Sequence, residues 1–192
     1  MWDANFAAEP ENKPSIRLKT LLHAFRRDRS GTTAIEFAVL IFPFLLLIFS
    51  VIEICVSFMG QQLLSDATDR IARQLRTGEL KATDVAGGNL HDLICDRLAI
   101  FVPSGCPELT ANLQTYPSYS IVPKSDIIDA AGRLRGGDIV DPGGPGSINQ
   151  LNVLYRWPLL TDIMRRQMNS TGDGKLPLFA TNTWQNEPFP GE

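Results

Sequence analysis

The stretch that decides the fold spans residues 26–59 and reads RRDRSGTTAIEFAVLIFPFLLLIFSVIEICVSFM. Residues 37–52 carry no charge, and past Glu53 the apolar character resumes as far as Met59. At a rise of about 1.5 Å per residue, a helix of this length crosses a hydrocarbon core of about 30 Å. Because a buried core helix rarely gives so long an apolar run, the sequence predicts a membrane-spanning helix.

The charges that flank this run predict its orientation. Three arginines precede it closely, whereas the arginines that follow it are matched by acidic residues: Arg26, Arg27 and Arg29 before, then Arg70, Arg73 and Arg76 beside Asp66, Asp69 and Glu79. The positive-inside bias places the N-terminus in the cytoplasm and the bulk of the chain outside, in the periplasm. A cleaved secretory signal is the rival interpretation, but the apolar run is too long and no small-x-small site follows it closely.

Two residues make this span unusual. Glu36 lies at its cytoplasmic mouth, where an ionised carboxylate moved toward the bilayer centre would cost about 2.5–3.5 kcal/mol or more. The simpler interpretation is that Glu36 stays solvated among the headgroups; the alternative is that it has a function. Pro43 removes one amide donor and clashes with the carbonyl of Val39, so a helix kink is expected there.

The string RSGTTAIE, residues 29–36, resembles the processing site of type IV prepilins, in which a basic leader ends in Gly and Glu is the fifth mature residue. The continuation EFAVLIFPFLLL more narrowly resembles TadE-like proteins of the tight-adherence (Tad/Flp) pilus system. Short pieces at 155–158 and 185–189 are also similar to TadE-like proteins. A Gly and a Glu five residues apart are weak alone, but the basic flank, Glu-Phe-Ala and the Pro within the span make the pattern specific.

The resemblance implies cleavage between Gly31 and Thr32 by a prepilin peptidase in the bacterial inner membrane, and an assembly role for Glu36. The implied partners are the membrane, the peptidase, the major pilin and other Tad pilus subunits. The implied location is the inner membrane, as a single-pass protein with possible incorporation into a pilus. The implied function is that of a minor pilin or pseudopilin in pilus assembly, adhesion or biofilm formation.

Helical periodicity continues beyond the apolar run. Apolar residues recur at Leu63, Leu64, Ala67, Ile71 and Leu75, with charged residues on the opposite side. One long helix is therefore predicted from Thr32 to Thr77, closed by Gly78. The predicted domains are a leader at 1–31, a transmembrane half at 32–59, an amphipathic extension at 60–78 and an α+β domain at 79–192. Within the leader, residues 16–25 predict either a short amphipathic helix or a frayed segment.

The remaining segments predict a small antiparallel sheet and a second helix. The helix spans 89–101 with Asn89 as N-cap, and strands cover 109–122 (broken at Pro117), 151–157 and 178–184. A short helix is expected at 162–168, and residues 132–146, rich in Gly and Pro, predict a loop. The predicted fold class is α+β and pilin-like, with a long N-terminal helix packed on the sheet.

Composition excludes some classes of function. A net charge of −3 with no basic stripe outside the leader gives no sign of nucleic-acid binding. Cys95 and Cys106 flank a helix end and a turn in a domain assigned to an oxidising compartment, so a disulfide worth about 2–3 kcal/mol is predicted. Cys55 reads as a small apolar residue within the span.

The sequence contains few residues that could form a catalytic site. The two histidines are His23, in the leader, and His91, which is four residues before Cys95. Two ligands do not make a zinc site, and the loop carboxylates match no calcium loop (Asp126, Asp129, Asp138 and Asp141). No enzyme, metal or cofactor is therefore predicted. The alternative to a pilin-like function is an uncleaved single-pass anchor that holds a periplasmic ligand-binding or sensing domain.

Overall fold

The structure is a computed structural model that describes residues 31–168 and 174–188. Its first element, α1, is a single helix of 45 residues, Thr32–Arg76, that continues through Pro43. Leucine, isoleucine and phenylalanine are its most frequent residues, and its leucines and alanines favour a helix. It ends where Gly78 adopts a φ of 73°; the Gly78 amide donates to the Leu75 carbonyl and that of Leu80 to Gln74. This is the glycine termination that the sequence predicts.

Three short α-helices and three strands follow α1 in the described residues. The first two helices are α2 (Ala82–Val85) and α3 (Asn89–Leu98), the strands are β1 (Leu109–Tyr116), β2 (Ile148–Pro158) and β3 (Lys175–Gln185), and α4 (Asp162–Met168) lies between β2 and β3. All three strands are antiparallel, in the order β1-β2-β3. The predicted α+β fold class, a long N-terminal helix with a small antiparallel sheet and further helices, is confirmed.

Three local predictions are wrong. Helix α3 ends at Leu98 and not at residue 101, and its N-cap is Gly88 at a φ of 96°, one residue before the predicted Asn89. The strand predicted to continue past Pro117 instead becomes a short 3-10 helix, Tyr119–Ile121. Tyr119 and Ile121 imitate the alternation of a strand, but both side chains are exposed and they face no partner strand.

The chain divides into two compact units within α1, between Leu47 and Ile48. The second unit contains the core, in which α1, α3 and the sheet each contribute fully buried side chains, among them Ile71, Ile94, Leu113 and Leu151. We call α2, α3 and the three strands together the sheet domain. Gly132, Gly136 and Gly137 lie in the long β1–β2 connection, which reaches β1 through an isolated bridge between Leu113 and Val140.

Strand β3 forms an edge of the sheet and is aligned with α1 in the same direction. The Gln61 side chain makes two hydrogen bonds with the backbone of Phe179. Its Nε2 donates to the Phe179 carbonyl at 2.9 Å, and its Oε1 accepts from the Phe179 N–H at 3.2 Å. Further along both elements, Asn182 donates to Asp69, and the Glu187 amide donates to the Arg76 carbonyl. A helix side chain thus satisfies backbone groups that an edge strand normally leaves unpaired.

The leader at 1–31 lies outside the described residues except for Gly31, as do the amphipathic helix predicted at 16–25 and its basic side chains. The domain boundaries proposed from the sequence stay predictions.

Candidate functional site

The N-terminal half of α1, residues 32–52, is exposed along nearly its whole length. Its phenylalanines, leucines and isoleucines project on all sides, and this is the described helix long and apolar enough to cross a membrane. A helix apolar all round either is buried or faces lipid, and in this unit the side chains are not buried. The apolar helix near the N-terminus indicates single-pass membrane anchoring.

The residues predicted for processing and assembly lie at the start of this half. Gly31 immediately precedes the helix, Thr32 is its first residue, and Glu36 follows one turn later; all three are exposed. A Cβ added at Gly31 would meet no atom within 4 Å. Pro43 lies within the helix, where the predicted kink stays a prediction. Among the described residues, none covers the Gly31–Thr32 peptide.

The first buried side chain on α1 is Glu53, which is 6% exposed. One carboxylate oxygen accepts hydrogen bonds from the backbone N–H groups of Leu160 and Thr161, and the other accepts the Thr161 hydroxyl at 2.5 Å. Ser57, one turn on, is also buried and donates to the Glu53 carbonyl. Since buried carboxylates are tolerated only when hydrogen-bonded, the Glu53 contacts fix the chain after β2 to the helix.

Sequence reasoning missed this site because it treated Glu53 as an interruption of an apolar run. The buried residues of α1 form a seam that begins with two polar residues and a glycine: Glu53, Ser57, Gly60, Leu64, Ala67, Thr68, Ile71, Ala72 and Leu75. The spacing from Glu53 to Leu64 is four, three and four, which is the signal of one helix face. When only apolar residues are counted, the helical pattern in this part of the chain begins no earlier than Leu63.

Gly60 is the point of closest approach in the seam. A Cβ at this position would lie 2.9 Å from the Trp157 ring and 3.3 Å from Leu178. In the domains predicted from the sequence, residue 60 only marks the start of the amphipathic extension. The packing supplies a different reason for glycine, which is that the helix backbone lies against the aromatic ring of β2.

A disulfide joins Cys95 of α3 to Cys106, which precedes β1, with the Cα atoms 5.7 Å apart. His91 lies beside it and its Nε2 is 3.3 Å from the Cys106 carbonyl, while Nδ1 is 3.4 Å from Asp92. Because Cys95 is bonded to sulfur, it offers no thiolate for a metal shared with His91. His91 instead contacts the turn that the disulfide closes.

Within residues 31–168 and 174–188, no group of three or more His, Cys, Asp or Glu side chains could hold a metal ion. Asp129 uses one oxygen for the amides of Ala131 and Arg133 in its own turn. The Arg133 amide, then that of Ala131, holds the pKa of Asp129 below its ordinary value, although desolvation opposes this. Burial, reinforced by the Glu108 charge, raises the pKa of Tyr155.

An open cleft of about 910 Å³ lies between the last turns of α1 and the end of β3. Its lining is mostly polar and carries both signs of charge, with Asp69, Arg73, Arg76 and Glu187 at the margins. Arg76 and Glu187 approach to 3.4 Å and both are about half exposed. The cleft presents hydrogen-bonding groups rather than an apolar pocket.

Comparison with protein families matches residues 31–73 to the family described as TadE-like protein. The match begins at Gly31 and covers nearly all of α1, and the resemblance predicted from the sequence is confirmed over these residues. The short similar pieces at 155–158 and 185–189 lie outside the match. No curated protein and no solved structure matches the chain.

Proposed function

We propose, from the match of residues 31–73 to TadE-like proteins, that this chain is a minor pilin or pseudopilin of a Tad-type pilus. On this proposal a prepilin peptidase cleaves after Gly31, and the mature protein takes part in pilus assembly, adhesion or biofilm formation. The observation that carries the proposal is that the matched region begins at Gly31, includes Glu36 and covers nearly all of the long helix. Cleavage by the peptidase and the role in assembly, adhesion or biofilm formation follow from the resemblance.

The start of α1 supports the processing step. Because the helix begins at Thr32, cleavage after Gly31 would leave the new ammonium group at the first residue of a helix, one turn from the Glu36 carboxylate. Both groups are exposed and both are poor neighbours for lipid. Pairing of the ammonium of one subunit with Glu36 of the next would neutralise both, which makes Glu36 an assembly residue.

Mass spectrometry of protein extracted from membranes tests the processing step. Co-expression with the peptidase should remove the mass of residues 1–31, and Gly31→Ala should keep the full mass. The structure makes Gly31→Ala a clean variant, since the added methyl group meets nothing within 4 Å. An unshifted wild-type mass in the presence of an active peptidase would contradict processing.

A second variant separates processing from assembly. Glu36→Gln keeps the size of the side chain and removes its charge, so the protein should still lose residues 1–31 but should no longer co-purify with sheared pili. Asp66→Asn is the matched control, because it removes a carboxylate charge from an exposed pair on the same helix at little cost in stability. Equal incorporation of wild type and Glu36→Gln would contradict the assembly role.

We also propose that the chain is not an enzyme and that its reactive bond is the substrate of another protein. The leading partners are the inner membrane, the peptidase, the major pilin and other Tad subunits, with the N-terminus cytoplasmic and the sheet domain periplasmic. Protease added to intact spheroplasts should reach the sheet domain and leave an epitope on the leader intact. Cleavage of the leader epitope instead would reverse the orientation.

The second candidate function is an uncleaved anchor with a periplasmic ligand-binding domain. The observation that favours it is the open polar cleft beside Arg73 and Glu187. An intact N-terminus, read by Edman degradation on membrane-extracted protein, would favour this function over the first.

A further inference from the structure

The chain after β2 carries an exposed apolar side chain beside the membrane helix. Leu160 is 80% exposed, although the Leu159 next to it is 1% exposed. Its backbone N–H donates to Glu53, so Leu160 lies at the level of Glu53 along α1. Exposure of so much apolar side-chain surface to water is unfavourable.

Glu53 lies where the apolar half of α1 ends. From Thr32 to residue 52 the helix is about 31 Å long, which matches the thickness of a hydrocarbon core of about 30 Å. Beyond Glu53 the helix still exposes the apolar side chains of Val56, Phe58 and Met59. A span of residues 32–52 therefore places Leu160 at the boundary between acyl chains and headgroups.

The same region contains an apolar groove and two cations. The groove, of about 230 Å³, lies between Ile54 and Phe58 of α1 and Pro177 of β3. Arg165 and Arg166 follow on α4; the Arg165 Nε donates to the Leu159 carbonyl, and its guanidinium lies 3.5 Å from Asp162. Arginine near the end of a membrane span favours lipid phosphate, with which it forms paired hydrogen bonds.

We propose that this rim, consisting of Leu160, Arg165, Arg166 and the groove beside Phe58, is seated in the phospholipid bilayer interface. Leu160 enters the acyl-chain region, the groove takes a segment of acyl chain, and the arginines bind phosphates of the same leaflet. Glu53 then has a second consequence: by holding the Leu160 and Thr161 amides it keeps α4 at the membrane surface. The inference rests on membrane anchoring by α1 and is independent of pilus assembly.

The test places a fluorophore on Leu160 of the full chain in nanodiscs of phosphatidylcholine and phosphatidylglycerol, one copy per disc. Cys55→Ala removes the free thiol, and Leu160→Cys supplies the site for an NBD label. The matched control is Ile121→Cys, because Ile121 is 54% exposed and lies in the same short 3-10 helix as Tyr119, which lines the cleft at the far end of α1 beside Arg76. A lipid-borne nitroxide and aqueous iodide serve as quenchers.

The label at 160 should emit at shorter wavelength than the label at 121, and should be quenched by the lipid nitroxide and protected from iodide. Arg165→Gln with Arg166→Gln should reduce both differences, with unchanged circular dichroism as the control for folding. Quenching of the 160 label by iodide to the same extent as the 121 label would overturn the proposal. Protection from both quenchers would also overturn it, because protein and not lipid would then cover Leu160.

Discussion

The two halves of α1 are parts of one helix but differ in what surrounds them. Residues 32–52 are exposed and apolar on every side, whereas residues 53–76 bury one face against the sheet domain and turn charged side chains outward. The backbone is helical in both halves, so the two halves differ only in the side chains that face their surroundings. Similar substitutions in the two halves should therefore change the free energy of unfolding by different amounts.

Isoleucine and leucine give the largest expected difference. Ile71 is 0% exposed, so Ile71→Ala should leave a cavity and lower the free energy of unfolding of the sheet domain by about 2–5 kcal/mol. Leu40, 72% exposed in the other half, should give almost no change when replaced by Ala. Urea unfolding in detergent, followed by tryptophan fluorescence, measures both, and equal effects would break the comparison.

The two glutamates of α1 should differ next. Glu53→Ala removes the acceptor for two partly buried backbone amides and the Thr161 hydroxyl, and should lower the free energy of unfolding by about 1.5–3 kcal/mol. Amide hydrogen exchange at Leu160 and Thr161 should accelerate as well. Glu36→Ala, in the exposed half, should change neither quantity, and protection unaffected by Glu53→Ala would contradict the role of its carboxylate.

The two glycines form a third pair with a smaller difference. At Gly60 an alanine would gain about 1 kcal/mol from helix propensity, but its methyl group would press on Trp157, and overpacking costs about 1–3 kcal/mol. Gly60→Ala should therefore destabilise slightly and Gly60→Val more. At Gly31 an alanine meets nothing and should leave unfolding unchanged. A stabilising Gly60→Ala would show that the Trp157 ring moves away freely.

The outward face of residues 53–76 should give the smallest effect. Arg70 and Asp66 form an exposed pair four residues apart, with Nε 2.8 Å from the carboxylate oxygen. Asp66→Asn should lower the free energy of unfolding by about 0.3–0.5 kcal/mol, and molar salt should abolish the difference. A salt-independent loss would place that face against another surface instead of water.

Much of the fold could be predicted because it depends on patterns that hydrophobicity records. The apolar run gave α1, and the alternation of Leu151, Val153 and Tyr155 gave β2, whose inward residues are indeed buried. Gly78 gave the helix end through its freedom to adopt a positive φ. In each case, local sequence and tertiary packing require the same residue type.

The site was harder to predict, because its contacts join residues far apart in the chain. Glu53 pairs with Leu160 and Thr161 more than a hundred positions away, and nothing near Glu53 indicates those partners. Gly60 is required by a ring that approaches from β2, which only the fold reveals. Tyr119 and Ile121 led to a wrong prediction for the opposite reason. Their alternation is typical of a strand, but among the described residues no strand pairs with the chain after Pro117, and these residues form a 3-10 helix.

The alignment of α1 with β3 has a mechanical consequence. The contacts from Gln61 to Phe179 and from Arg76 to Glu187 extend over about 22 Å of helix and about 26 Å of strand. A force that pulls on Thr32 along the helix axis would load this whole interface in shear, so that many contacts must yield together instead of one after another. The long helix thus acts as a tether whose grip on the sheet domain is distributed along its length.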